Sequence, residues 1–525
     1  MELAAIFSDN MVLQRDVNVR IFGCSDRTEK ITIDIDNIHV SRTVDAGDWE
    51  IILDSHAVGG PYDMRITAES GDKAEEKIIR NVLYGEVWMT NGQSNIEFEL
   101  QNSLGGPKEI EQADYPDIRY FKCIKSPVVD EEFLEKEKHL NWHQVKGGDF
   151  REISGISYFF SQKMHQMLKI PIGIVDCYQG GTSITCWLEK ERLENIPEAE
   201  EYLVDFEKET SGRSESEYER LLEDYNCLVQ KHLSLTAEAK AKNPDITPDE
   251  LEEVAGSYPW PPPLGLRSAF RPGGLVETMF KRVSSYTMRG LIYYQGEEDT
   301  LRNLKYYKET GQNLRYEVLL YELIKEYREL TGRNNLPIVV VQLPMYMARH
   351  EEDLRDWAYL RDAQESVSEK MNDVILVPII DTGEYGNVHP VDKKSPALRI
   401  ASKVLADIYG MESEGARDMC LASYERKGES IILSFADTYG EIRTGENELQ
   451  NIREETSEEG HLYGFEIVLE GGKSMIPEAV IDGENIVIRS REDAISLSYA
   501  HFNYGKVNIY NKRGMPLRPF KVLLK

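Results

Sequence analysis

The chain is poor in cysteine, in basic charge and in long apolar runs, and each shortage removes a class of protein. Six cysteines (Cys24, Cys123, Cys177, Cys186, Cys227 and Cys420) are scattered over 525 residues, with no CxxC pair. Neither a disulfide framework nor a zinc-ligand pattern is present, so no metal is expected. Lysine and arginine number 61 against 92 aspartates and glutamates, a net charge of −31. A surface of that sign repels nucleic acid and anionic membranes, so neither is expected as a partner. No stretch approaches the ~18 apolar residues of a membrane span. The first residues, Met1-Glu2-Leu3-Ala4-Ala5-Ile6-Phe7-Ser8, carry neither the basic stretch nor the apolar core of a secretory leader, and a cytoplasmic protein is expected.

What is present divides the chain. It is too long for one core, so two or three domains are expected. Residues 1–82 read as all-β: short segments at 17–22, 30–35 and 49–53 carry β-branched residues at alternating positions, and turn signals such as Gly59-Gly60-Pro61 separate them. From 83 to 412 the pattern is α/β. Apolar strands at 82–89, 172–178, 290–294, 337–343 and 374–380 alternate with helical patterns at 153–168, about 303–331 and 354–370. Five such runs predict a parallel sheet covered on both faces. A Glu- and Lys-rich stretch at about 189–258 interrupts the crossover between the second and third strands and ends in Pro259-Trp260-Pro261-Pro262-Pro263. It reads as a helical insertion, either a solvated hairpin or a wall over a site. Residues 413–525 return to β and predict a second β-domain.

Polar, glycine-containing segments follow the apolar strands: Gly92-Gln93-Ser94-Asn95 after the first, Gly180-Gly181 after the second, Gln295-Gly296-Glu297 after the third, and Asp381 to His389 after the fifth. In an open parallel sheet the carboxyl ends of the strands share one edge, where ligands bind. A hydroxyl, an imidazole, carboxylates, a side-chain amide and glycine amides would converge there, the parts that acyl transfer requires. Each residue alone also has a plain structural reading: Ser94 as a helix N-cap, Glu297 as a helix-start carboxylate, Gln295 as a backbone-binding amide. Asn95 and Ile96 follow the serine, so the GxSxG elbow of α/β-hydrolases is absent.

The run Gly85-Glu86-Val87-Trp88-Met89-Thr90-Asn91-Gly92-Gln93-Ser94-Asn95 resembles the first block of the sialate O-acetylesterase family, within the SGNH hydrolase superfamily. Gly180-Gly181-Thr182 with Trp187, Arg271-Pro272-Gly273-Gly274, Tyr293-Tyr294-Gln295-Gly296-Glu297 and Val388-His389-Pro390 resemble further blocks, in order. The resemblance reaches from Phe7-Ser8-Asp9-Asn10 to Tyr510-Asn511-Lys512-Arg513 and leaves out the 189–258 insertion. It implies a flavodoxin-like α/β domain and a serine esterase that acts on acetylated sugars by Ser–His catalysis without a metal, so no cofactor is expected; the flanking β-domains read from the strand pattern are expected to be of β-sandwich type. Carried over by position, Ser94 is the nucleophile, His389 the base, and the oxyanion donors are the amides of Ser94 and Gly181 with the side chain of Gln295.

Two departures stand out. The third block continues Glu298-Asp299 where the family commonly has Ser-Asn, and the positions before the histidine that usually carry an aspartate hold Gly386 and Asn387. Glu297 is the first choice for the acid behind His389, because related carbohydrate esterases with a Gln-Gly-Glu block use that glutamate. Asp381, Glu384 or a plain Ser–His dyad are the alternatives. A sialate substrate would need a cation, for which Arg267, Arg271 and Arg361 are candidates; a neutral sugar ester would need platforms such as Tyr178, Trp187, Trp357 or Trp260. A catalytically dead, carbohydrate-binding descendant and a thioesterase or lipase of the same superfamily are the rival readings.

Overall fold

The computed structural model describes residues 1–243, 246–311, 314–412, 415–445 and 460–524. Its centre is a sheet of seven strands: β1 (Lys73–Gly92), β2 (Tyr115–Lys122), β3 (His143–Val145), β4 (Ile172–Tyr178), β5 (Gly290–Tyr294), β6 (Ile338–Val341) and β7 (Val374–Val377). They lie side by side in the order β3-β2-β4-β1-β5-β6-β7. All neighbours are parallel except the edge pair β2 and β3. The five strands read from apolar runs are all there. They are continuous in hydrophobicity because both faces are covered; β4 and β5 are buried at every position.

The sixth parallel strand, β2, was not expected. Its outer half, Pro116 and Asp117, is exposed, and Arg119 within it is buried, so no apolar run announces it. Arg119 donates from Nη1 to the carbonyls of Asn10 and Asn81 and so ties β2 to the N-terminal strands. The helical pattern at 303–331 is also two helices, not one. The first, Thr300–Thr310, ends on Gly311 in the left-handed region (φ 73°), the usual glycine stop. The second runs Leu314–Leu330.

Gly155–Leu168 and Lys394–Tyr409 pack together on one side of the sheet; Thr300–Thr310, Leu314–Leu330 and Asp356–Lys370 pack together as a second helical layer. Residues 189–258, in the crossover from β4 to β5, form helical segments whose longest is Glu215–Lys242. The N-terminal strands share β1. Its first half pairs antiparallel with Gly59–Ser70 and its second half lies between β4 and β5. One apolar core therefore runs from Leu3 to Leu405. After Tyr409 the described residues form two four-stranded antiparallel sheets and a two-stranded pair around a second core, which takes in Met345 and Ile380 from the loops after β6 and β7. Among the described residues no helix is long and apolar enough to cross a membrane.

Candidate active site

β1 is the first strand of the parallel set and sits near its middle, with β4 on one side and β5 on the other. The chain fills first one side and then the other, so the carboxyl end of β1 is a topological switch point, where such sheets leave a crevice. Gly92 ends β1 with φ 135°, and its Cα faces the backbone of Tyr294; a Cβ there would fall 2.0 Å from the Tyr294 carbonyl oxygen. Only glycine lets β1 and β5 close at this point. The chain then turns into α1 (Ser94–Glu97). The N-cap position falls on Gln93, whose side chain makes no cap, so Ser94 sits one residue inside the helix and does not cap it. Its side chain is half-buried.

The Gly180-Gly181 turn lies against Ser94: a Cβ on Gly180 would be 3.4 Å from Ser94 Cβ. The turn is built by its own side chains. Thr182 Oγ1 donates to the Gln179 carbonyl at 2.8 Å and accepts from Trp187 Nε1 at 3.0 Å. Gly181 has φ 71°, so the turn itself requires a glycine. The Gly180 amide donates to Glu97 Oε2 at 2.5 Å, and the other oxygen of Glu97 is paired with Lys125.

The histidine loop is pinned to α1 by the residue next to the serine. Asn95, fully buried, donates from Nδ2 to the Val388 carbonyl at 2.9 Å and to Glu297 Oε1 at 2.7 Å. Its Oδ1 accepts from Lys393 Nζ at 2.6 Å. One amide thus joins the neighbours of Ser94 and His389. Within the loop, Glu384 accepts from Asn387 Nδ2 (2.7 Å) and from the Val391 amide (2.8 Å), and Asn387 Oδ1 accepts from the His389 amide (3.1 Å). Burial, then the Lys393 charge, pushes the His389 imidazole down to about 4, against a smaller opposing pull from Glu97. Burial pushes Glu297 up to about 7 and Lys393 down to about 7. Glu297 Oε2 is sealed from solvent and has no partner among the described residues.

None of the carboxylates proposed for the acid position hydrogen-bonds the His389 ring among the described residues. Glu297 reaches the loop through Asn95 and makes no hydrogen bond to the His389 ring among the described residues. Asp381 is held by both terminal nitrogens of Arg399, and Glu384 is spent on its own loop. Gly386 leaves no room for an aspartate: with φ 69°, a Cβ there would meet Arg349 Nε at 2.4 Å. Gln295 is fully buried. Its Nε2 faces three acceptors, Gln93 Oε1 (3.1 Å), the Thr182 carbonyl (3.0 Å) and Asp299 Oδ2 (2.6 Å), while its Oε1 accepts from Tyr293 and Tyr316. Gln93 Oε1 also accepts from the amides of Gly296 and Glu298. Its Nε2 makes no hydrogen bond among the described residues.

The three candidate cations for a sialate are engaged. Arg267 is paired with Asp130 and Glu215, Arg271 with Glu277 and the Ser268 carbonyl, and buried Arg361 with the carbonyls of Ala500 and Phe502. Tyr178, Trp187 and Trp357 are core residues, each 5 % exposed or less. Reasoning from sequence missed Gln93, Asn95, Glu97, Asp299 and Lys393. The first three adjoin Ser94, so proximity was their only signal. Among the described residues no three His, Cys, Asp or Glu side chains converge as a metal-ligand set.

The chain is similar to known proteins over most of its length. Residues 270–405, which include Gln295, Glu297 and His389 but not Ser94 or Gly181, match the family model for carbohydrate esterase, sialic acid-specific acetylesterase. The chain is 24% identical to the sialate O-acetylesterase of Mus musculus over 442 residues, 77% of this chain and 73% of that protein. It is 22% identical to that of Homo sapiens over 445 residues, 78% and 71% respectively. In fold it matches the crystal structure of a carbohydrate acetylesterase from Xanthomonas citri, with a TM-score of 0.73 at 22% identity and 99% of both chains covered. The protein is a carbohydrate O-acetylesterase by class. Within that class residues 270–405 match the sialic acid-specific acetylesterase family model, and the chain is similar to the sialate O-acetylesterases.

Proposed function

We propose that the protein removes O-acetyl groups from carbohydrates through an acetyl-Ser94 intermediate, on a flavodoxin-like SGNH scaffold whose five core strands are β4, β1, β5, β6 and β7. One observation carries this reading: Asn95, next to Ser94, donates to the carbonyl of Val388, next to His389, so serine and histidine belong to one rigid unit. Burial and the Lys393 charge keep His389 neutral at neutral pH, the form a base needs. Ser94 Oγ attacks the acetyl carbonyl and His389 takes its proton. The carbonyl oxygen, now negative, rests on the amides of Ser94 and Gly181; each such donor contributes about 10²–10³ in rate. The C–O bond to the sugar breaks and His389 returns the proton to the leaving hydroxyl. Water, deprotonated by the same histidine, then releases acetate and regenerates Ser94.

We assign the third oxyanion donor to Gln93 Nε2 rather than to Gln295. The two hydrogens on Gln295 Nε2 are spread over three acceptors, and one of these is the Gln93 carbonyl oxygen, which it fixes. Glu297 acts on the loop through Asn95, not on the ring. The substrate class follows from the family: O-acetylated sialic acids or acetylated hemicellulose oligosaccharides. The test is acetate release from acetylated sialic acid, xylo-oligosaccharides and manno-oligosaccharides. Ser94→Ala should lower kcat by about 10⁴-fold or more. Acetate release at the wild-type rate by this variant would refute the assignment, and sugar binding without turnover in the wild type would favour a binding protein.

A further inference from the structure

The chain has six tryptophans. Five are buried to 5 % exposure or less: Trp49, Trp88, Trp142, Trp187 and Trp357. Trp260 alone is 45 % exposed. A tryptophan that served only packing would be buried like the others, because the indole is the largest apolar side chain available to a core. Trp260 is also at the site. Its ring lies against Gly181, so close that a Cβ on that glycine would fall 2.1 Å from Trp260 Cη2 and 2.9 Å from Cζ3. Phe270 braces it edge-on, with centroids 5.8 Å apart and planes at 84°.

The chain delivers this ring deliberately. Trp260 stands between Pro259 and Pro261, followed by Pro262 and Pro263. Prolines on both sides restrict its backbone, so little entropy is lost in holding the ring in place. The run is the exit of the 189–258 insertion, which is anchored at both rims of the crevice. Tyr202 of the insertion donates to Asp299 at 2.6 Å, behind Gln295. Asp249 pairs with Arg349 at 3.0 Å, and Arg349 lies over the Tyr385 ring beside the histidine loop. The insertion therefore contacts Asp299, behind Gln295, and Arg349, beside the histidine loop, and at its exit Trp260 lies on the glycine turn.

We propose that Trp260 is the sugar platform of the enzyme: the apolar C–H face of an acetylated pyranoside stacks on its exposed indole while the acetyl carbonyl oxygen points to the Gly181 amide. This rests on the reading of Ser94 as an esterase nucleophile, and it assigns the insertion to substrate recognition. Because the platform touches the glycine turn, a sugar stacked on it has its ester oxygen within reach of Ser94. It selects for a ring, not for a charge.

The experiment compares kcat/KM for an acetylated sugar (acetylated xylobiose and O-acetylated sialic acid as two probes) with that for vinyl acetate, which carries the same acyl group on an alcohol without a ring. Trp260→Ala should lower the ratio of sugar to vinyl acetate by about tenfold, mainly through KM. Trp260→Phe should restore most of it, and Trp260→Leu should not. An unchanged ratio in Trp260→Ala, whether through equal loss on both esters or no loss on either, overturns the proposal. So does full restoration by leucine. Ser94→Ala on vinyl acetate reads the esterase assignment separately: retained activity there would sink the nucleophile, not the platform.

Discussion

Asn95→Ala should be among the most costly single substitutions in this chain, out of proportion to the few atoms removed. The amide makes three hydrogen bonds, at 2.6, 2.7 and 2.9 Å, and two of its partners are ionisable and buried. Without it, Glu297 has a second oxygen without a partner, since Oε2 already has none, and Lys393 keeps little beyond the Phe98 ring, 4.7 Å from its Nζ. Hydrogen bonds to charged groups contribute about 1.5–3 kcal/mol each, and removing one partner of a buried charge typically costs about 3–5 kcal/mol. The upper sum is not reached, because both groups titrate near 7 and can retreat to their neutral forms. A loss of ~3–5 kcal/mol is expected, a drop in Tm of about 4–6 °C for a cooperative unit of about 400 residues. The assay is thermal unfolding followed by kcat on vinyl acetate, with kcat falling because the Val388 anchor beside His389 is gone. The decisive control is Asn95→Ala in a Glu297→Gln/Lys393→Met background. With no charge left to strand, its cost should fall to ~1–2 kcal/mol. The same cost in both backgrounds, or a loss below ~1 kcal/mol in the wild type, would refute the reasoning.

Lys393→Met should move the acid limb of kcat/KM upward. On the proposed mechanism His389 works as the neutral imidazole, so activity should be present above its pKa of about 4 and lost as pH falls through it. Lys393, protonated at those pH values, is the second cause of that depression after burial, so its removal raises the limb to between about 4 and 6.5; a limb that stays in place or moves down in a kcat/KM profile counts against it. Gly181→Ala should lower kcat/KM on vinyl acetate by about 10²-fold or more, since a left-handed alanine costs roughly 1–2 kcal/mol and its methyl collides with Trp260, displacing an oxyanion amide. A wild-type rate there would remove Gly181 from the site.

The sheet was legible where burial on both faces demands uninterrupted apolar residues, as in β4 and β5, and illegible where it does not. β2 hides because its buried half contains Arg119, whose guanidinium is satisfied by carbonyls of residues far away in sequence. No periodicity reports such a partner. The break at Gly311 had a local signal, a glycine after a run of helix formers, but the apolar pattern continues on both sides and masks it. The convergence of the four polar segments was readable from topology alone, since each follows a parallel strand and such strands end along one edge.

What topology could not supply is which polar groups touch. The missing aspartate before His389 looked like a vacancy to be filled by another carboxylate. In the structure position 386 has a left-handed backbone, and Arg349, itself paired with Asp249 of the insertion, occupies the place a side chain there would need. With Arg349 there, the loop is held by its backbone instead: Asn387 binds the His389 amide, Glu384 brackets positions 387 and 391, and Asn95 holds the Val388 carbonyl. These contacts hold the loop that carries the imidazole without touching the ring, and its charge is governed first by burial, then by Lys393 and, in the opposite sense, Glu97. On the proposed mechanism an orienting acid is dispensable, because the backbone orients the histidine. The glutamate that resemblance points to, Glu297, is present in the site but does its work one residue removed, on the amide that binds the serine helix to the histidine loop.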